Sequence, residues 1–345
     1  MWPSFLQAFN FFKGDGMKIS RMNGRLRIIV CVAMLLFIGY AHLYAQPQLT
    51  TKENLEFITA EWKGERDEFG RPFVADDILE RLRFVGLEEA WAFLRSTGYH
   101  NKFEGDWQII WPEQVMVGRA LTAAFLPSSP ELAERMNEAG REHGLQGAAN
   151  QWPIYMLQKG DVYVADGFGK IKEGTLIGNN LGQAIYANSG NGPVFYGSAR
   201  DLGGLREIEG FNAWVKGWHP SYIMNMMLIS INGPIRIGEA VVLPGDVVLA
   251  TEGGVLFIPP HLAENVIISS EVERITDAFR QQRILEGVYS LGETYGTRWT
   301  DTIENDFYRW LEQNPERLAT EFGVAVETAN KVLTSRSRNW REWVD

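Results

Sequence analysis

Two short stretches hold residues whose types could do chemistry together. The loop Gly178-Asn179-Asn180-Leu181-Gly182 stands at the head of the run NLGQAIYANSG and opens a helix. The first N–H groups of such a helix have no intrahelical acceptor and point at whatever anion lies in front of them. Further along, the strand-like run PVFYG leads through a small-residue turn to Arg200-Asp201, a guanidinium beside a carboxylate. In an open α/β sheet both stretches fall at the carboxyl edge of the strands, where ligands commonly bind. Together they offer anion-binding amides, a guanidinium and a carboxylate able to hold a divalent cation.

Other chemistries find less support. GFGKIKEG contains Gly167, Gly169 and Gly174, but the last interval is too long for a dinucleotide fingerprint, and no Lys-Ser/Thr pair follows as in a P-loop. It reads as a tight connection after a strand. The five histidines, His42, His100, His143, His219 and His261, show no ligand spacing, which argues against a zinc site. His219 could line a pocket, although a satisfied structural role is expected. There is no G-x-S-x-G elbow for a serine hydrolase. ERLATEFGVAVETANKVLTS has helix-turn-helix spacing around Gly323, but its second helix offers only Lys331 before the tail. Two packed helices are expected there rather than a DNA reader.

The elements that must position the site follow from periodicity. KENLEFITAEWKGERDEFG and VADDILERLRFVGLEEAWAFLRS carry apolar residues at three-and-four spacing and predict amphipathic helices separated by Pro72. WQIIWPEQVMVGRALTAAFLP, rich in β-branched and aromatic residues, predicts two strands. Ser129-Pro130-Glu131 predicts an N-cap, a proline at the first helical position and an early acid for the helix ELAERMNEAGREHG. The chain then alternates through strand DVYVAD, a glycine turn, the helix after Gly178, strand PVFYG and strand AWVKGW, as an α/β domain does. GPIRIGEAVVLPGDVVLATEGGVLFIPP is expected to close the sheet. A long helix follows from His261 to about Gly287, and residues 291–345 form a helical C-terminal extension.

The N-terminus carries an address. Lys18, Arg21, Arg25 and Arg27 precede the apolar run IIVCVAMLLFIGYA, too short to span a bilayer comfortably and built like a secretory signal. Residues 1–46 are therefore set apart as a signal peptide, with Met17 as an alternative start of translation and cleavage expected after Ala45; an uncleaved signal anchor is the alternative. The expected location is secreted or periplasmic. The single cysteine, Cys31, lies inside this run, so a cleaved chain offers no disulfide, thiolate ligand or cysteine nucleophile. The whole chain carries a formal charge of −10; without residues 1–46, 28 basic residues face 42 acidic ones, a charge of −14. Such a surface repels nucleic acid and anionic lipid, so neither is an expected partner.

The order VADDILERL, MVGRALTAAF, KGDVYVADGFG, LIGNNLGQA, GPVFYGSARD and VVLPGDVVLATEGGVLFIP resembles the RraA-like family, over roughly residues 74–262. That family includes the regulator of ribonuclease E activity A and the 4-hydroxy-4-methyl-2-oxoglutarate and 4-carboxy-4-hydroxy-2-oxoadipate aldolases. The resemblance implies a layered α/β/α domain of the swivelling type over residues 47–290, assembled as a homotrimer or hexamer with sites between subunits. By the same resemblance Asp201 is the metal ligand, Arg200 contacts the substrate and its developing oxyanion, and Gly178, Asn180 and Leu181 form the carboxylate clamp. The catalytic members show an Asp, twenty residues, then Arg-Asp; here that first position is Asn179, a neutral acceptor and a poor base. Where the family commonly has an acid-rich turn before its last strand, this chain has Thr251-Glu252-Gly253-Gly254, with Glu252 expected as a surface turn residue. Family aldolases borrow a Glu from a neighbouring subunit, for which Glu271 and Glu273 lie in the right general region.

The implied reaction is retro-aldol cleavage of a 4-hydroxy-2-oxo acid, or decarboxylation of oxaloacetate, each through a pyruvate enolate stabilised by Mg²⁺ or Mn²⁺. The alternative is a non-catalytic binding or assembly protein that retains the fold. Arg200-Asp201 favours the first and Asn179 the second.

Overall fold

The computed structural model describes residues 50–295 and 298–342. The expected signal at residues 1–46 lies outside these, and no helix among the described residues is long and apolar enough to cross a membrane.

The N-terminal part is less helical than its periodicity predicts. Helix α1 covers only Lys52–Ile58. The chain then loops, because the Arg66 guanidinium gathers the carbonyls of Thr59, Trp62 and Gly70, and Asp67 accepts from the N–H groups of Phe69 and Arg71. The next predicted helix is two, α2 (Asp76–Leu82) and α3 (Leu87–Ser96), broken where Gly86 turns extended and its N–H is taken by the Glu89 side chain.

The main sheet has ten strands. They are β1 (Phe103–Glu104), β2 (Gln108–Ile109), β3 (Met116–Pro127), β4 (Asp161–Asp166), β5 (Thr175–Ile177), β6 (Pro193–Ala199), β7 (Trp214–Trp218), β8 (Met226–Ile231), β11 (Val247–Thr251) and β12 (Gly254–Ile258). Hydrogen-bonded order runs β1-β12-β11-β3-β4-β6-β7-β2, with β5 beside β6 and β8 beside β3. The β3-β4-β6-β7 centre and the β5-β6 pair are parallel, and the flanks are antiparallel. The methionine-rich run that forms β8 has no alternation to announce it, and no strand is expected there from the sequence.

Helices α4 (Pro130–Glu142), α5 (Trp152–Tyr155), α6 (Asn179–Ser189) and α7 (Leu202–Arg206) connect these strands. Pro130 sits at the start of α4 as expected, but Ser129 makes no side-chain cap. Alternation assigns the faces. On β4, Tyr163 and Ala165 join Ile185 of α6 and Phe195 in one core, while Val162 and Val164 face the other way. That second face is covered by a separate hairpin, β9 (Ile235–Ile237) with β10 (Ala240–Val242), whose Ile235, Ile237, Ala240 and Val242 are buried. The α/β class holds, and the hairpin stands in place of a second helical layer.

The long helix α8 (Ala263–Leu285) packs against α2, α3 and the β11–β12 pair. The chain beyond it forms α9 (Leu291–Thr294), α10 (Asp301–Gln313), α11 (Pro315–Phe322) and α12 (Val326–Ser335). These helices share the α8 core: Phe279 meets Trp299, Phe307 and Trp310 at ring separations of 5.3–5.6 Å. Leu318, Val324, Ala329 and Val332 of the helix-turn-helix segment are buried in the same cluster, so its helices pack rather than read a surface.

Candidate active site

β5 and β6 place the two chemical stretches side by side. Ile177 ends β5 and its carbonyl accepts the N–H of Arg200, which fixes Gly178 beside Arg200-Asp201. A cleft of about 590 Å³ opens there, lined by Gly178, Asn179, Asn180, Leu181, Arg200 and Asp201. All six residues singled out from the sequence therefore meet in one place, within the volume range of about 300–1,000 Å³ usual for small-molecule sites.

The geometry is tight where the chemistry is. Asp201 sits in the left-handed region, φ 59° and ψ 39°, a conformation an Asp tolerates at a cost of about 1–2 kcal/mol. It turns the chain from β6 into α7 and leaves the carboxylate half exposed. Its Oδ2 lies 3.5 Å from Arg200 Nε and accepts, at 3.4 Å, from the N–H of Asn179. Gly178 has no side chain with which to cap α6, so Asp201 does so from across the cleft. Glycine at 178 leaves the two charged side chains where they are: an added Cβ would overlap Asp201 Oδ2 and stand 3.0 Å from Arg200 Nε. Gly204 plays the same part for Asn179, whose Cγ would lie 2.9 Å from a Cβ there. Among the described residues the N–H groups of Asn180 and Leu181 have no acceptor, which leaves them free for an anion.

As a cation site the cleft is sparse. Asp201 is its one carboxylate, and the described residues contain no cluster of three or more His, Cys, Asp or Glu side chains that could hold a metal. One carboxylate and an amide oxygen suit a cation that keeps several waters, as Mg²⁺ does, and do not suit zinc. The donor set thus fits Mg²⁺ or Mn²⁺ in a water-rich mode.

The cleft also contains residues the sequence did not single out. Asn150 is buried and donates through Nδ2 to the Leu176 carbonyl at 2.8 Å, which leaves its Oδ1 to the cleft. Tyr222 and Ile223 come from the loop after β7. Neither AANQWP nor HPSYIMN forms a motif; only the fold brings them to β5. His219, by contrast, is satisfied within that loop, its Nδ1 facing Ser221 Oγ at 2.9 Å.

Of the two glutamates in the region of a borrowed Glu, Glu271 is turned inward. It is fully buried in its own chain, with both oxygens held by Arg81 and one also by Thr328 of α12. A side chain sealed in this way cannot reach a neighbouring copy. Glu273 is more open but sits among Arg280 and Asp277; burial, then the Asp277 charge, raises its pKa. Glu252 lies exposed in the β11–β12 turn.

Comparison with known proteins agrees with this architecture. A family model described as RraA-like, Aldolase/RraA, matches residues 74–257. A Hahella chejuensis protein named "Putative 4-hydroxy-4-methyl-2-oxoglutarate aldolase" is 31% identical over 104 residues, 30% of this chain and 62% of the relative. This chain spans less than two thirds of the length of the curated relatives it matches. Among solved structures, an uncharacterized protein from Pseudomonas syringae pv. tomato superposes with a TM-score of 0.55 at 19% identity, covering 68% of this chain and all of that one. Streptomyces coelicolor RraAS2, described as an unusual member of the RNase ES inhibitor RraA family, gives 0.52 at 21%, covering 61% of this chain and all of its own. With the family model matching more than half of its residues and the fold shared, the chain belongs to the RraA-like family.

Proposed function

We propose that the protein is a divalent-metal-dependent lyase that releases pyruvate from a small 2-oxo acid, by retro-aldol cleavage of a 4-hydroxy-2-oxo acid or by decarboxylation of oxaloacetate. The observation that carries this reading is the convergence of Arg200, Asp201 and the free amides of Asn180 and Leu181 in one cleft. The names of the relatives support it.

Each group has a task. The amides of Asn180 and Leu181, at the positive end of α6, bind the C1 carboxylate. Arg200, held by its backbone N–H to β5, directs its guanidinium at the 2-oxo oxygen, where negative charge grows as the C3–C4 bond breaks. Asp201 would hold the cation, and Asn179 would accept from its hydration shell. When bound, Mg²⁺ or Mn²⁺ supplies Lewis-acid stabilisation of that charge, worth several kcal/mol. No lysine is needed to form a Schiff base.

Export, with residues 1–46 as the signal, and a trimeric or hexameric assembly complete the proposal. A second reading, a binding protein without turnover, is favoured by one feature, the neutral Asn179. Pyruvate release from oxaloacetate and a panel of 4-hydroxy-2-oxo acids with Mg²⁺ or Mn²⁺ separates the two. The wild type is expected to be active and Asp201→Ala to lose about a hundredfold or more. Equal inertness of both proteins across the panel would defeat the lyase reading.

A further inference from the structure

The cleft has two ends of different character, and β5 is the ruler between them. At its Ile177 end lie Gly178, Arg200 and Asp201. At its Thr175 end the hydroxyl donates to the Ser221 carbonyl at 2.6 Å, which brings the loop after β7 against the strand. Two residues of rise separate these ends by about 7 Å. The loop is built to hold its position. Glu173 N–H donates to Ser221 Oγ at 2.7 Å, Ser221 N–H to His219 Nδ1 at 3.1 Å, and Met224 N–H to the Glu173 carbonyl at 2.9 Å. Its free side chains at the cleft are Tyr222, 61% exposed, and Ile223.

Charge is as uneven as shape. Arg200 and Asp201 are the only ionisable cleft-lining groups apart from the Tyr222 phenol, and both sit at the Ile177 end. Lys170, which contacts the loop, gives its ammonium to the Met224 carbonyl at 2.6 Å. A second carboxylate reaching the Thr175 end would therefore gain no cation, and the cleft offers it only neutral polar partners, the amides of Asn150 and Gln151 and the Tyr222 phenol. An aromatic or aliphatic group there would instead bury apolar area against the Tyr222 ring and Ile223.

We infer that Tyr222 and Ile223 make this a site for 2-oxo acids whose far end is uncharged and apolar, an aryl or alkyl group, rather than for dicarboxylic oxo acids longer than oxaloacetate, whose second carboxylate extends toward the Thr175 end. This rests on the lyase reading of the same cleft, and Tyr222 acts in it as a specificity-determining residue. It also sets the chain apart from relatives named for an oxoglutarate-type substrate.

The test compares binding of phenylpyruvate and 2-oxoglutarate by calorimetry in the presence of Mg²⁺, alongside pyruvate release from 4-hydroxy-4-phenyl-2-oxobutanoate and 4-hydroxy-4-methyl-2-oxoglutarate. Phenylpyruvate is expected to bind at least about tenfold more tightly, the scale a contact of this size carries. Tyr222→Ala is expected to shrink that ratio, and Tyr222→Lys to reverse it. Equal or tighter binding of 2-oxoglutarate by wild type, failure to bind either, or a ratio unmoved by both substitutions overturns the inference. Cleavage that prefers the dicarboxylate also overturns it while upholding the lyase reading. Selective phenylpyruvate binding without any pyruvate release has the opposite effect, ending the lyase reading and keeping the specificity.

Discussion

Gly178→Ala tests whether the present position of the Asp201 carboxylate matters. The backbone at 178 is extended, φ −129° and ψ −166°, a conformation alanine adopts freely, so the fold itself has no objection. The new Cβ, however, falls on Asp201 Oδ2 and 3.0 Å from Arg200 Nε. Non-bonded carbon needs about 3.5 Å, so the carboxylate must withdraw by about 1 Å. The Asp201 side chain is half exposed and can rotate away cheaply, which spares stability and moves the site. Misplacement by 1 Å costs about a hundredfold in rate, whereas Gly→Ala at a compatible backbone changes stability by about 1 kcal/mol or less. Steady-state pyruvate release and urea denaturation measured on one preparation report both quantities. Gly203→Ala is the control, because a Cβ there meets nothing within 4 Å. Gly178→Ala activity within threefold of wild type, with Gly203→Ala equally active, would refute the claim that Asp201 works from where it stands.

Three further predictions concern the frame. Arg71 is buried between Asp67 (2.6 Å) and Asp161 (2.8 Å), tying the N-terminal loop to β4. Arg71→Met leaves Asp67 without its cation and Asp161 with only Arg119 Nε, 3.6 Å away, and is expected to cost about 3–5 kcal/mol by urea denaturation. His261, bonded to Tyr99 at 3.2 Å, has its pKa lowered by burial, against the opposing pull of Glu61 and Asp246. A base depressed in the fold stabilises above its unfolded pKa of about 6.5, and that contribution is lost as pH falls through the lowered value. Denaturation midpoints from pH 7.5 down to 5 are expected to drop less in His261→Gln than in wild type. Trp299, packed on Phe279 and Phe307, locks the C-terminal helices to α8; Trp299→Ala is expected to cost about 3–5 kcal/mol, and a loss below 1 kcal/mol would mean these helices are dispensable to the core.

The parts of this molecule that were legible in its sequence are those where local pattern and tertiary packing agree. DVYVAD, PVFYG and the helix after Gly178 are strongly patterned, and each forms close to where its period puts it. The Arg200-Asp201 stretch was legible because a strand ending in paired charges is unusual at a sheet edge. The stretch after Ile58 was misread because its amphipathic spacing is overridden by Arg66, whose guanidinium collects carbonyls a continuous helix would have used internally. β8 was invisible because MMLISI is apolar at all positions but one, so no alternation marks its faces. The far wall of the cleft was invisible for another reason. Tyr222 gains meaning only from hydrogen bonds between Ser221 and residues 173–175, a contact that sequence distance conceals.

The sealing of Glu271 bears on the proton that a retro-aldol cleavage must move. That reaction requires the 4-hydroxyl to give up its proton as the bond breaks, and so needs an acceptor within hydrogen-bond reach; decarboxylation needs none. In the cleft, Asp201 is the only carboxylate, and in its proposed role as cation ligand it would not be free to take a proton. Asn179 can accept a hydrogen bond but cannot hold a proton. Glu271, locked between Arg81 and Thr328, serves the packing of α8 against the C-terminal helices. A cleft so composed is expected to favour oxaloacetate over 4-hydroxy-2-oxo acids. Asn179→Asp supplies the missing acceptor without changing the size of the side chain, so it is expected to lower the ratio of decarboxylation to retro-aldol rate, by about tenfold if general-base catalysis is even partly restored. The added charge also strengthens cation binding, and Mn²⁺ titration measures that effect separately. If both rates rise by the same factor at saturating Mn²⁺, the substitution acts through something other than proton transfer, and the absence of a base at residue 179 is not what limits this site.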